Sequence, residues 1–165
     1  MAYATAQQMM VRFSASDVAQ IATPEGSQVV DTRLMQLTVS GGNRDAWSLD
    51  EIGVADKALE RIQFALEEAG VTMDSYLAIR YPLPLDAGRV STTRLPGICC
   101  DIARYLLQSN QDIEVVTTRH NAALAWLKDL SAGKAGLGES LSTPQGGLGM
   151  ASISSSPTVF GRGCP

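Results

Sequence analysis

Between Ile52 and Tyr76 apolar side chains recur at spacings of three and four: Ile52, Ala55, Leu59, Ile62, Leu66, Ala69, Met73 and Tyr76. That period places them on one face of an α-helix. At 1.5 Å per residue the helix is roughly 40 Å long. A helix of that length with a single apolar face must be covered by other elements, and most of the chain is too short in strand signals to build a sheet over it. The fold class that follows is mainly α. Ser48 and Glu51 mark the start as a capping box. Gly70 lies inside the stripe, where an interior glycine costs about 1 kcal/mol relative to alanine, and predicts a bend or a close crossing.

The flanking sequence supplies the covering elements. Thr5 and Gln8 form another capping box, opening a short helix through Phe13, and Ser16 starts a second one that Pro24 and Gly26 end. Met35, Leu37 and Val39 alternate with Gln36 and Thr38 before Gly41-Gly42, which predicts a short strand or hairpin arm within residues 24–47. Tyr81-Pro82-Leu83-Pro84-Leu85 cannot continue a helix and forces an extended turn. A further helix begins near Pro96, burying Leu95, Ile98, Cys99, Ile102, Tyr105 and Leu106 while Asp101, Arg104 and Gln108 point elsewhere. Asp112 caps a last helix with the stripe Ile113, Val116, His120, Ala123, Leu127 and Leu130, which stops at Gly133. The expected architecture is an antiparallel helical bundle of three long helices, with short N-terminal helices, a small β-hairpin arm and an extended C-terminal tail. The helical domain spans residues 1–131 and the tail residues 132–165.

Composition changes at Ala132. Half of residues 132–165 are Gly, Ser or Pro, and only Lys134, Glu139 and Arg162 are charged. Such a segment buries too little apolar surface to offset an ordering cost of about 1–2 kcal/mol per residue for the backbone alone. Leu137, Leu141, Leu148, Met150, Ile153, Val159 and Phe160 nevertheless punctuate it. A strap with apolar anchors suits a protein that grips a neighbour; a frayed end without a role is the alternative.

Several chemistries find no footing. Net charge is −4 and no Lys/Arg cluster appears, which argues against tight non-specific binding to nucleic acid. Adjacent Cys99 and Cys100 with a distant Cys164 are no disulfide framework. No basic region precedes an apolar run at the N-terminus, and no apolar stretch approaches the roughly 20 residues of a membrane span, so a soluble protein of a reducing cytoplasm is expected. His120, the sole histidine, sits on an apolar stripe without companions for a zinc site, and Gly146-Gly147-Leu148-Gly149 lacks the Lys-Ser/Thr ending of a phosphate loop. The expectation is a protein without catalytic residues, metal or cofactor.

The long helix carries Asp50, Glu51, Asp56, Glu60, Glu67 and Glu68 against Lys57 and Arg61. A paired-carboxylate hydrolase could draw on such a run; a solvated face is the ordinary meaning. A third reading makes Asp56, Glu60 and Glu67 candidates for lining a channel that repels DNA phosphates. Phe64 and Val71 fall on the polar side of the same helix, a second apolar patch that suggests contact between subunits or cover by another part of the chain.

Met1-Ala2-Tyr3-Ala4-Thr5 through Val11-Arg12-Phe13, Ala65-Leu66-Glu67-Glu68-Ala69, and Asp74-Ser75-Tyr76-Leu77-Ala78-Ile79-Arg80-Tyr81 with the following Pro82-Leu83-Pro84-Leu85 form one set of motifs. Cys100-Asp101-Ile102-Ala103-Arg104-Tyr105-Leu106 and Ala122-Ala123-Leu124-Ala125-Trp126-Leu127-Lys128-Asp129 complete it. In this order they resemble the Mu-like phage and prophage structural proteins that act as head–tail connectors, or adaptors. Residues 24–47 match nothing in that pattern, and His120 stands where an aromatic residue such as tyrosine is expected. The resemblance implies a subunit of a homo-oligomeric ring, twelvefold, in the virion neck beneath the portal. Such a ring extends the DNA channel without binding DNA specifically and meets the portal on one side and the next neck or tail protein on the other. It further implies that the tail, through Met150, Ile153, Val159, Phe160 and Arg162, reaches the portal or a neighbour, while Phe64 and Val71 serve the subunit interface. The protein would be made in the host cytoplasm and never enter a membrane. The rival within the same class is another neck, tail-completion or DNA-packaging accessory protein.

Overall fold

The computed structural model describes residues 3–108 and 113–137, and every regular element among them is helical. Thr5 caps α1 (Ala6–Phe13) through the reciprocal bonds of a capping box. Ser14 then ends α1 and begins α2 (Ala15–Ala22), its hydroxyl accepting from the Asp17 amide at 3.2 Å. Ser14 holds φ at +72°, the one non-glycine residue with positive φ among those described. Arg61 donates to the Ala22 and Thr23 carbonyls at 3.1 and 2.8 Å, satisfying acceptors that the end of α2 leaves open.

Residues 32–40 are a helix, α3 (Thr32–Ser40), and not the strand or hairpin arm that alternation suggested. Asp31 decides the matter locally, its carboxylate accepting from the Arg33 and Leu34 amides at 2.8 and 3.1 Å. Leu34, Met35 and Thr38 then share a buried face at helical spacing, and Gly41 closes the helix at φ +70°. The alternation of Met35, Leu37 and Val39 arises because Leu37 and Val39 are half-buried on the flanks of that face.

The central element is α4 (Leu49–Leu77), 29 residues opened by the Ser48–Glu51 capping box. Ala55, Ile62, Leu66, Ala69 and Met73 of its stripe are buried, and Gly70 is buried beside them. The turn after it contains a cis Leu83–Pro84 bond and leads to α5 (Ala87–Thr92), a short helix without a counterpart in the sequence reading. Pro96 lies in the first turn of α6 (Leu95–Leu107), and Ile113 precedes α7 (Glu114–Ser131). Asp112 lies outside the described residues, so its capping role does too.

α4 packs on both α6 and α7, and α6 packs on α7. The Cys99 thiol of α6 reaches the Leu66 carbonyl of α4 at 3.7 Å, a close approach one helical turn before Gly70. α1, α2 and α3 also pack against α4, and α1 against α6. The core is therefore wider than three long helices: Met9, Val18, Leu34 and Met35 of the N-terminal helices are as buried as Ile62 and Met73. Such side chains contribute about 1.5–3 kcal/mol each when fully buried. Leu137 is also buried in this core, and Arg80 donates to the Ala135 carbonyl at 3.2 Å, so packing continues past residue 131.

Candidate functional site

Two surfaces stand out on this frame. The first is the outer face of α4. At 100° per residue, Phe64 and Val71 project half a turn away from Ile62 and Ala69, and they are 68% and 69% exposed. Glu60 and Glu67 flank them, both exposed. Asp56 sits beside the same face and pairs with Arg44, which also donates to Thr38 at 3.4 Å. The structure thus gathers the residues assigned by sequence to a subunit contact and those assigned to a channel lining onto one surface. The two roles compete for it.

The second surface was not read from sequence. Phe13, at the end of α1, has three guanidiniums over its ring: Arg104 at 4.6 Å, Arg12 at 5.7 Å and Arg119 at 5.9 Å from the centroid. They come from α6, α1 and α7, so no local sequence pattern joins them. They edge a concavity of about 440 Å³ that also takes in Ile113, Val115 and the strained Ser14. Val115 is 61% exposed at its rim. No lining residue comes from α4.

The three arginines differ in how well they are matched. Arg12 makes a bidentate pair with Asp101, Nε to Oδ1 at 3.0 Å and Nη2 to Oδ2 at 2.8 Å. Asp101 is therefore buried, contrary to the outward position its sequence context suggested, because α1 covers that side of α6. The carboxylate holds the Arg12 guanidinium protonated beyond its already high ordinary range, chiefly by hydrogen bonding. Gly97 leaves the room this needs, since a Cβ there would lie 3.0 Å from Arg12 Nη1. Arg104 faces Asp17 at 3.9 Å, and its Nε is buried without an acceptor. Arg119 is exposed and forms no salt bridge among the described residues.

His120 stacks on Tyr105 with ring centroids 4.0 Å apart, a packing role like that of an aromatic residue. Cys99 and Cys100 are free thiols in the core, pushed up to about 12 and about 11 by burial. Among the described residues no group of three or more His, Cys, Asp or Glu side chains is placed to hold a metal ion. No helix among them is long and apolar enough to cross a membrane. The tail anchors Met150, Ile153, Val159, Phe160 and Arg162 lie outside the described residues.

Fold and surfaces together define, among the described residues, a small helical protein whose distinctive features are an apolar face bordered by carboxylates and an arginine-lined pocket. The chain belongs to the family described as Bacteriophage Mu, Gp36, whose model matches residues 3–151. It is similar to "Mu-like prophage FluMu protein gp36" of Haemophilus influenzae, 34% identical over 122 residues that cover 71% of this chain and 79% of that protein. It is also similar to "Gene product J" of Escherichia phage Mu, 32% identical over 101 residues, 59% of this chain and 69% of that protein.

Proposed function

We propose that the chain is a structural, non-enzymatic virion protein: a head–tail connector subunit that assembles into a ring, twelvefold, under the portal. The ring extends the DNA channel and joins the capsid to the next neck or tail protein. One observation carries this reading, the outer face of α4, where Phe64 and Val71 stand exposed between carboxylates on the longest helix of the chain. A rigid helix with a core on one side and an apolar patch on the other is suited to repetition side by side. Membership of a phage family supports a role in particle morphogenesis.

In this mechanism the helical frame, which extends to the buried Leu137, supplies the wedge and residues 138–165 supply the strap. Phe160 anchors the strap on the portal with Arg162 as polar partner, and Met150, Ile153 and Val159 add apolar contacts. A segment that becomes ordered on contact loses affinity per unit area, and many copies in a ring recover it through avidity. Deleting residues 150–165 should leave folded subunits and filled heads while halting head–tail joining. Normal infectious particles from the deletion, or unfolded subunits, would refute the role given to the strap.

A further inference from the structure

The outer face of α4, where Glu60, Glu67 and Glu68 outnumber Lys57, and the arginine pocket, where Arg12, Arg104 and Arg119 outnumber Asp17, differ in the sign of their charge. Glu60 and Glu67 border Phe64 and Val71 on the first; Arg104 and Arg119 border Val115 on the second. They are distinct surfaces joined by a shallow groove through Arg61, Leu107, Arg104 and Ile113. Phe64 shares a concavity with Leu106 and Leu107 of α6, whereas the pocket is built from α1, α2, α6 and α7 with no contribution from α4. When one patch meets the other, different patch of the next copy, the contact is heterologous, propagates from copy to copy and closes into a ring when the rotation allows.

We propose that the pocket around Phe13 is the receptor for the α4 face of a second copy of this chain. Glu67 of one copy approaches Arg119, whose charge has no carboxylate partner in its own chain among the described residues. Phe64 and Val71 cover Val115 and Ile113. Arg104, 3.9 Å from Asp17, is the second donor to an incoming carboxylate. The acidic side chains of α4 then serve subunit contact instead of lining the channel. DNA is the poorer occupant of the pocket, because the chain as a whole is acidic, with net charge −4.

The proposal rests on the side-by-side assembly described above and specifies its two surfaces. Its test is a charge exchange in the full chain, read by sedimentation velocity over a concentration series at low salt. Glu67→Arg and Arg119→Glu each place like charges together and should weaken self-association about tenfold or more. The double variant restores opposite charges and should recover most of the loss. Lys128→Glu, an exposed change outside the pocket that alters net charge as Arg119→Glu does, should leave association unchanged. All of these positions are exposed, so melting temperature should stay close to that of the parent. Assembly insensitive to both single reversals, or a double variant as weak as the singles, overturns the pairing and leaves the connector function standing. A chain monomeric at every concentration overturns the pairing too, and if virion necks also lack a ring of it, the connector function falls with it. Loss of binding to a short DNA duplex in Arg119→Glu, with association intact, would assign the pocket to phosphates and equally overturn the proposal.

Discussion

The Arg12–Asp101 pair allows an asymmetric prediction. Asp101 is only 8% exposed at its side chain, while Arg12 is 42% exposed. Removing Asp101 leaves a guanidinium that water can still reach, so Asp101→Ala loses two charge-assisted hydrogen bonds and costs about 2 kcal/mol. Removing Arg12 leaves a carboxylate inside the protein with neither partner nor solvent, and Arg12→Ala should cost about 4 kcal/mol. The more exposed partner is thus the more damaging one to delete. Replacing both by apolar side chains, Arg12→Met with Asp101→Leu, removes the desolvation cost along with the attraction and should cost less than Arg12→Ala alone. Urea unfolding measures this directly: midpoints shift in the order parent, Asp101→Ala, Arg12→Ala, at constant m-value. Equal shifts, or a larger loss for Asp101→Ala, would refute the reasoning from burial.

Three further outcomes follow from the same structure. Ser14 sits at φ +72° and also caps α2. Ser14→Gly relieves strain of about 1–3 kcal/mol and loses only a few tenths for the cap, so calorimetry should show a higher melting temperature; a decrease would mean the cap dominates. Cys99 and Cys100 are raised by burial from an ordinary 9.0 to about 12 and about 11. The unfolded chain releases these protons first, so stability holds below pH 9 and falls as pH rises through 11–12. Tyr3, raised by burial and by its bond to Asp74, contributes in the same direction, and Cys99→Ala should flatten the alkaline slope in pH-dependent denaturation. Finally, Phe64→Ser and Val71→Ser change exposed positions and should move unfolding midpoints by no more than about 0.5 kcal/mol. The same variants should abolish ring formation in negative-stain micrographs; intact rings would remove the outer face of α4 from the interface.

What the sequence disclosed depended on whether a signal was local. Both capping boxes, the stripe of α4 and the proline turn after it lie within a few residues of one another, and each appears in the structure as its spacing implies. α3 misled because two flanking half-buried side chains imitate alternation, although Asp31 two residues before Arg33 carried the capping signal. α5 is one and a half turns long and leaves a single buried side chain, Val90, too little for a periodic pattern. Asp101 was placed outward because α6 shows one apolar face; its burial depends on α1, 89 residues away along the chain. The Phe13 pocket is the extreme case. Its arginines stand at positions 12, 104 and 119, each ordinary in its own segment, and only packing makes them a surface. Phe64 and Val71 were legible because a break in helical pattern is visible within a single helix.

A cryo-EM reconstruction of the virion neck, with this subunit located by density, reads the assembly itself. The account predicts a closed ring directly beneath the portal in which the Phe64–Val71 face of each copy covers the Phe13 pocket of the next. Density that leaves those faces bare, or that finds the chain elsewhere in the particle, would contradict it.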